Sequence, residues 1–401
     1  MRPLRLALLT RRYPPLIGGA EKVLSYLAGA LAVEGAEVTV LTSQAPGLDL
    51  PTREEVAIDR GQGRLTINRL STSRLRFVGT YLYMRNLARW FDRNPIDLAY
   101  VSMLKHDAYV AVGAGRRLGF PVVLRPEGAG ATGDLAWQSW GTFGLQIRRR
   151  CREATAIVAI SKAIEAELAG VWPDGLGLRP SIVSIPNGVP VPLESWQRRP
   201  DWRLSPRAAY VGRLAPEKGL DTLIDAWPTV RTAHPSASLI LIGEGPERPT
   251  LERRAHDRNL SIGRGQAVEF AGVLADPSAA LREADLFVLP SREEGMSIAL
   301  LEAMAMGIPL VASSIPGNRR IVADFKHGRL APPDDPGALA RVILEQWSNF
   351  DRAFHMGRAA RSRVEQEFSI RRVARDHLRL FERLARPQNI GQQTTNGESR
   401  C

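Results

Sequence analysis

A chain of 401 residues is too long for one ordinary α/β domain and suits two of roughly 200 residues each. Its 44% hydrophobic content allows a large core, and Gly and Pro are spread rather than clustered, which excludes a fibrous or wholly disordered chain. The net charge of +12 rests on 54 basic residues of which five are lysines, so the bias is toward arginine on a basic surface; an anionic membrane fits it as a partner, while the short runs near Arg148–Arg152 and Arg371–Arg375 lack interleaved stacking aromatics and give nucleic acid no positive reason.

Leu4–Thr10 is a short apolar run of the kind that buried parallel strands show. Ala20–Glu34 places Val23, Leu24, Leu27 and Leu31 at helical spacing, and Gly35 stops it. Glu37–Leu41 and Leu98–Val101 read as strands, followed by a helix from about Asp107 to Leu118 and a strand at Pro121–Leu124. A single helix over Trp137–Glu153, a strand at Ala156–Ile160 and a helix from Ser161 complete the first half. The Pro- and Trp-rich stretch Asn187–Pro206 reads as a linker. Beyond it, Arg207–Gly212, Leu239–Gly243, Val268–Ala271, Leu286–Leu289 and Pro309–Ala312 are strand-like. Helices are expected between them at Leu220–Thr232, Glu247–Asn259, Ser278–Ala284 and Ile298–Met306, and three more at Pro336–Asn349, Arg352–Phe368 and Ile370–Leu384. The polar tail Pro387–Cys401 is expected to be disordered.

This alternation predicts an α/β chain of two doubly wound units, residues 1–190 and 191–370, with a helix at 371–386 packing back on the first. Ligands in such sheets sit beyond the carboxyl ends of strands, so site residues are sought just after strands. The aromatics Tyr81, Tyr83, Trp90, Trp137 and Trp140 read either as core or as an exposed, lipid-facing set. The two cysteines, Cys151 and Cys401, make no disulfide or metal framework, which favours a reducing cytoplasm. The N-terminal apolar run is too short for a signal peptide, and no stretch is long enough to span a membrane.

Three turns after strands carry chemistry. In Pro14-Pro15-Leu16-Ile17-Gly18-Gly19-Ala20-Glu21 two glycines open a helix and leave backbone N–H groups free, a phosphate-binding geometry. In Val211-Gly212-Arg213-Leu214-Ala215-Pro216-Glu217-Lys218-Gly219 two cations flank a turn into a helix, where they can neutralise a diphosphate. From Leu289 to Pro309, Glu294 lies in the loop before a helix and Glu302 on it, among Leu300, Leu301, Ala303 and Met304. A carboxylate in such company needs a partner, and sugar hydroxyls are suitable donors.

With these motifs, together with Ile185-Pro186-Asn187-Gly188-Val189, Gly243-Glu244-Gly245-Pro246 and a Gly-x-Pro after the Glu-x7-Glu helix, the chain resembles family 4 of the retaining GT-B glycosyltransferases, from Leu4 to about Leu384. The resemblance implies two Rossmann-like domains facing a central cleft, a nucleotide-diphosphate sugar donor held mainly by the second, and a glycan or lipid-linked acceptor on the first. It assigns the donor phosphates to Gly18 and Gly19, the diphosphate to Arg213 and Lys218, and the transferred sugar to Glu294 within Glu294-Gly295-Met296-Ser297. It assigns the ribose to Glu302 and the base to main chain near Gly272 and Val273. Many relatives carry a His where this chain has Glu127, in Arg125-Pro126-Glu127-Gly128. Glu127 and His106 are therefore the acceptor-side candidates. No Asp-x-Asp occurs, so no metal and no other cofactor is expected, and helix N-termini with Arg213 and Lys218 would take the metal's place. A nucleotide-sugar epimerase and a non-catalytic sugar-nucleotide scaffold remain as alternatives.

Overall fold

The computed structural model describes residues 2–16, 18–45, 47–58, 61–128, 130, 133–139, 141–172 and 180–386. The expected disordered tail at 387–401 and Trp140 lie outside the described residues. The first half runs β1 (Arg5–Leu9), α1 (Gly19–Val33), β2 (Glu37–Ser43), β3 (Arg53–Val56), β4 (Arg64–Leu70), α2 (Arg76–Arg93), β5 (Leu98–Ser102), α3 (His106–Leu118) and β6 (Val122–Arg125). It continues through α4 (Asp134–Gln138), α5 (Gly141–Cys151), β7 (Ala156–Ala159), α6 (Lys162–Val171) and β8 (Ser181–Ser184). The second half runs β9 (Arg207–Val211), α7 (Leu220–Ala233), β10 (Ser238–Ile242), α8 (Arg248–Asp257), β11 (Val268–Gly272), α9 (Ser278–Arg282), β12 (Leu286–Leu289) and α10 (Ile298–Met306). It ends with β13 (Leu310–Ser313), α11 (Pro316–Ile321), β14 (Arg329–Ala331), α12 (Pro336–Ser348), α13 (Phe350–Arg363) and α14 (Ile370–Ala385).

The strands form two sheets. The first has the order β3-β4-β2-β1-β5-β6-β7-β8, parallel except for β3 against β4, and the second β11-β10-β9-β12-β13-β14, parallel throughout. Alternate residues of the central strands bury opposite faces of the first sheet: Ala7, Leu9, Ala99 and Val101 on one, Leu6, Leu8, Leu98 and Tyr100 on the other. Helices cover both faces, which is why these strands read as unbroken apolar runs.

Two expectations need correction, and the linker gains detail. The helix over Trp137–Glu153 is two, α4 and α5, and they pack so closely that a Cβ on Gly144 would sit 2.4 Å from Gln138 O. The helix expected to run from Arg352 to Phe368 starts at Phe350 and is regular only to Arg363, with a π-turn over Val364–Phe368. The linker Asn187–Pro206 has no helix or strand of its own but is not loose: Trp196 and Trp202 are buried in the second core, and Trp202 stacks on Phe350 with centroids 4.0 Å apart.

The chain passes between the sheets twice, and the two passages are tied together. Val189 N donates to Phe368 O at 2.9 Å and Ile370 N donates to Val189 O at 2.9 Å. Gly188 is required there, since a Cβ would lie 2.9 Å from the side chain of Val373. After this tie α14 lays Val373, His377, Leu380 and Phe381 into the first core, a helical 4-3-1 spacing that puts them on one face.

His377 is buried and neutral. Its Nδ1–H donates to Val373 O at 2.8 Å, which leaves Nε2 to accept from the Tyr100 hydroxyl at 3.1 Å. Burial lowers its pKa from 6.5 to about 4, and the Arg125 charge adds to the effect. The folded pKa is depressed, so between about pH 6.5 and 4 the unfolded chain binds the extra proton and stability is lost as pH falls through that window. The wild-type Tm should therefore fall more steeply from pH 7 to 5 than that of His377→Gln, measured by thermal unfolding; equal slopes would contradict this.

Candidate active site

Each sheet reverses its winding at an inner pair of strands, β1 beside β5 and β9 beside β12. Loops leaving the carboxyl ends at such a point diverge and open a crevice. The loops after β1, β9 and β12 carry Gly18, Arg213, Lys218 and Glu294.

The second sheet's side is built by backbone contact. A Cβ on Gly243 would sit 1.9 Å from Gly212 O, so the ends of β9 and β10 meet main chain to main chain. Gly219, with φ 62°, brings its turn so close to β12 that a Cβ would lie 2.3 Å from Pro290 O. Arg292 fastens this turn, donating to Pro216 O at 2.6 Å while pairing with Asp221 at 2.8 Å and Asp334 at 2.6 Å. The turn thereby delivers Lys218 Nζ to 2.8 Å from Glu294 Oε1, and Ser291 Oγ donates to the same oxygen at 2.8 Å. The Glu294 side chain is only 9% exposed, so the lysine is what makes its charge tolerable there. Arg213 is exposed; its carbonyl accepts from the Tyr210 hydroxyl at 2.9 Å, and its guanidinium has no partner among the described residues.

Glu127 faces this group from the first sheet. Arg125, fully buried, pairs with its carboxylate and also donates to Asn187 Oδ1 at 2.5 Å; Ser102 Oγ donates to the same Glu127 oxygen. The Glu127 amide donates to Asp134 Oδ2 at 2.7 Å. Burial alone would lower the Arg125 pKa, but Glu127, Tyr100 and Asp134 around it more than offset that and raise it. Across the cleft, a Cβ on Gly295 would lie 3.8 Å from Glu127 O, and one on Gly130 would lie 3.5 Å from Glu293 Oε1. The loop after β6, which carries Glu127, thus meets the loop after β12, which carries Glu294.

The remaining sequence-derived residues fall as follows. Gly18 is the N-cap of α1, where a Cβ would strike the Glu21 carboxylate at 2.2 Å; Gly19 has open space around it. Met296 and Ser297 are buried, and Ser297 Oγ caps α10 by accepting from Leu300 N at 3.4 Å. Gly272, at φ 70°, accepts from Gly243 N at 2.8 Å, and Val273 is exposed beside it. Glu302 reaches across to α1, where Lys22 Nζ lies 2.6 Å and the Tyr26 hydroxyl 2.7 Å from its Oε1. His106 is not in this group of contacts. Its ring packs between Trp137 and Phe143, at centroid distances of 5.5 and 5.4 Å, and burial lowers its pKa.

Sequence reading missed Lys22, Tyr26, Ser291, Arg125 and Ser102. Lys22 carried one available signal, being one of five lysines in an arginine-rich chain. Among the described residues, no group of three or more His, Cys, Asp or Glu is placed to hold a metal ion, and no helix is long and apolar enough to cross a membrane.

Two sheets wound about facing switch points, with cations and carboxylates on the walls between them, define the GT-B class of glycosyltransferase. Solved structures share this architecture: sucrose-phosphate synthase from Thermosynechococcus elongatus, at 22% identity and a TM-score of 0.76, is covered over 99% of its length by 96% of this chain. The Anabaena protein HepE in complex with UDP-glucose, at 18% identity and a TM-score of 0.73, is covered over 100% by 95% of this chain. The family models for Glycosyltransferase Family 4 and for Glycosyl transferases group 1 match residues 17–191 and 205–349. The chain belongs to this family, and it is a glycosyltransferase. Its relatives include a glycogen synthase of Mycobacterium tuberculosis, 28% identical over 92% of both chains. Another, from the same species, is a GDP-mannose-dependent alpha-(1-6)-phosphatidylinositol monomannoside mannosyltransferase, 28% identical over 91% of this chain and 94% of its own.

Proposed function

We propose that the protein transfers a sugar, with retention of configuration, from a nucleotide-diphosphate sugar to a glycan or lipid-linked acceptor. The observation that carries this reading is the pairing of Lys218 with Glu294 on a loop that meets the Glu127 loop of the first sheet. The diphosphate lies along Arg213, Lys218 and the free amides at the start of α1 around Gly18 and Gly19, which meet its charge without a metal. The sugar rests on Glu294 and the backbone of Gly295-Met296-Ser297, the ribose on Glu302, and the base beside Gly272 and Val273. That relatives use GDP-mannose and that HepE binds UDP-glucose supports a nucleotide-sugar donor.

Given retention, as the resemblance to the retaining family implies, the way the cleft carboxylates are committed bears on the route. Glu294 is tied to Lys218 and Glu127 to Arg125, so each is neutralised and is a poor nucleophile. A same-face displacement avoids needing one: the acceptor oxygen bonds to the anomeric carbon as the carbon–phosphate oxygen bond breaks. The acceptor proton passes to the departing phosphate oxygen, and Lys218 and Arg213 stabilise the diphosphate that leaves. A thermal-shift screen against UDP-, GDP-, ADP- and dTDP-sugars in EDTA tests the donor assignment. One nucleotide series should stabilise the native state, and no response at millimolar concentration would overturn it.

The acceptor is presented at an anionic membrane surface. On α2 and just before it, Leu75, Phe77, Val78 and Tyr81 are 46–87% exposed and are flanked by exposed Arg74, Arg85 and Arg89. Apolar tips among arginines suit the boundary of anionic lipid headgroups. Tyr83, by contrast, is core, and Trp90 and Trp137 pack against that core. Cosedimentation with phosphatidylglycerol vesicles, but not phosphatidylcholine vesicles, is expected and should drop severalfold in Phe77→Ser/Tyr81→Ser. Equal binding by wild type and variant would remove this surface from the account.

A further inference from the structure

Glu302 is the one charged residue on α10, whose other residues are apolar and almost all buried. Its side chain is turned not toward open solvent but toward α1 of the other half, and it is 14% exposed. Both donors that meet it come from α1, one helical turn apart: Lys22 Nζ at 2.6 Å and the Tyr26 hydroxyl at 2.7 Å. Val23, between them, is buried in the core of the second half, so this stretch of α1 is seated there by packing as well as by charge. Burial, with Glu302 beside it, pushes the Tyr26 pKa far up, which keeps the hydroxyl a donor. Lys22 and Tyr26 both use Oε1; Oε2 accepts no hydrogen bond from the described residues.

We propose that Lys22, Tyr26 and Glu302 form a clamp between the two halves, and that a ribose hydroxyl of the donor completes it on Oε2. The proposal rests on the ribose assignment above. Lys22 and Tyr26 are positioning residues: they fix the carboxylate so that its free oxygen faces the cleft. Closure and nucleotide recognition then meet at one side chain. A nucleotide that satisfies Oε2 favours the conformation in which Oε1 is held by α1, and by reciprocity closure tightens nucleotide binding. A ligand bearing only the diphosphate has no such link and gains nothing from closure through this contact.

The test pairs small-angle X-ray scattering of the free protein with calorimetric binding of UDP, GDP and inorganic pyrophosphate, for wild type, Lys22→Met, Tyr26→Phe and Glu302→Gln. Lys22→Met should expand the free protein and weaken the preferred nucleoside diphosphate roughly tenfold, with pyrophosphate unchanged. Exchanging the charges, Lys22→Glu with Glu302→Lys, should restore the compact form without restoring nucleotide affinity. An unchanged radius of gyration in Lys22→Met overturns the clamp. Expansion with nucleotide affinity lost only in Glu302→Gln overturns the coupling but leaves the ribose assignment standing. Expansion with affinity unchanged in both variants overturns the ribose assignment and the coupling with it.

Discussion

Replacing Lys218 with alanine lowers kcat/KM by about 10²–10³-fold while the protein stays folded. The expectation follows from the commitment of Lys218 to a single place, 2.8 Å from Glu294, on a turn braced by Arg292 and by the close approach of Gly219 to Pro290. A cation fixed before the reaction stabilises developing charge without reorganising, and losing one such group costs on the order of 10²–10³ in rate. Glu294→Ala should cost a similar factor, because it removes the proposed sugar contact and releases Lys218 from its position. The two residues act as a unit, so the double variant should be little worse than the poorer single one. Multiplying losses would mean that they act separately. Unchanged kcat/KM in both single variants would move the chemistry away from this pair.

Arg125→Met should be the most destabilising single change in the first half, by about 3–5 kcal/mol, read from denaturant unfolding. The guanidinium is fully buried and holds two groups at once, the Glu127 carboxylate and Asn187 Oδ1. Removing it leaves Glu127 facing Ser102 alone and frees the Asn187-Gly188-Val189 segment, which ties to α14 through the backbone at Phe368 and Ile370. The double variant Arg125→Met/Glu127→Leu should recover a good part of the loss, since both charges then go together. No recovery would show that Arg125 serves the passage between the halves rather than Glu127.

Most of the central strands and their helices were legible because helices cover both sheet faces. Runs such as Leu6–Leu9 and Leu286–Leu289 are wholly buried and bear no polar interruption. The stretch from 53 to 93 escaped detection for the opposite reason. β3 reads Arg-Glu-Glu-Val at a sheet edge with no buried residue. β4 ends Asn-Arg-Leu, and its Arg69 is buried only because Glu54 and Pro51 O receive it. In α2, Phe77 and Tyr81 face outward, so its apolar residues mark no single face. β8 is likewise an edge strand.

The residues proposed for the second-half site could be singled out from sequence because they follow strands locally, as Lys218 and Glu294 do. Glu127 was singled out because it stands where many relatives carry a His, but its partner Arg125 was not. An arginine at a strand end gives no sign that it will be buried until the Asn187 segment folds over it. Beyond the rarity of lysine in this chain, nothing local marked Lys22 or Tyr26, since their placement depends on how α1 meets α10, a contact between residues 276 or more positions apart.

The anomeric configuration of the product, read by proton NMR, decides between retention and inversion. The reaction takes an α-linked nucleotide sugar of the series that binds, in EDTA, with a lipid-linked or simple glycoside acceptor. Transfer without metal and an α-linked product are expected. A β-linked product would contradict retention and would require a base on the far face of the sugar.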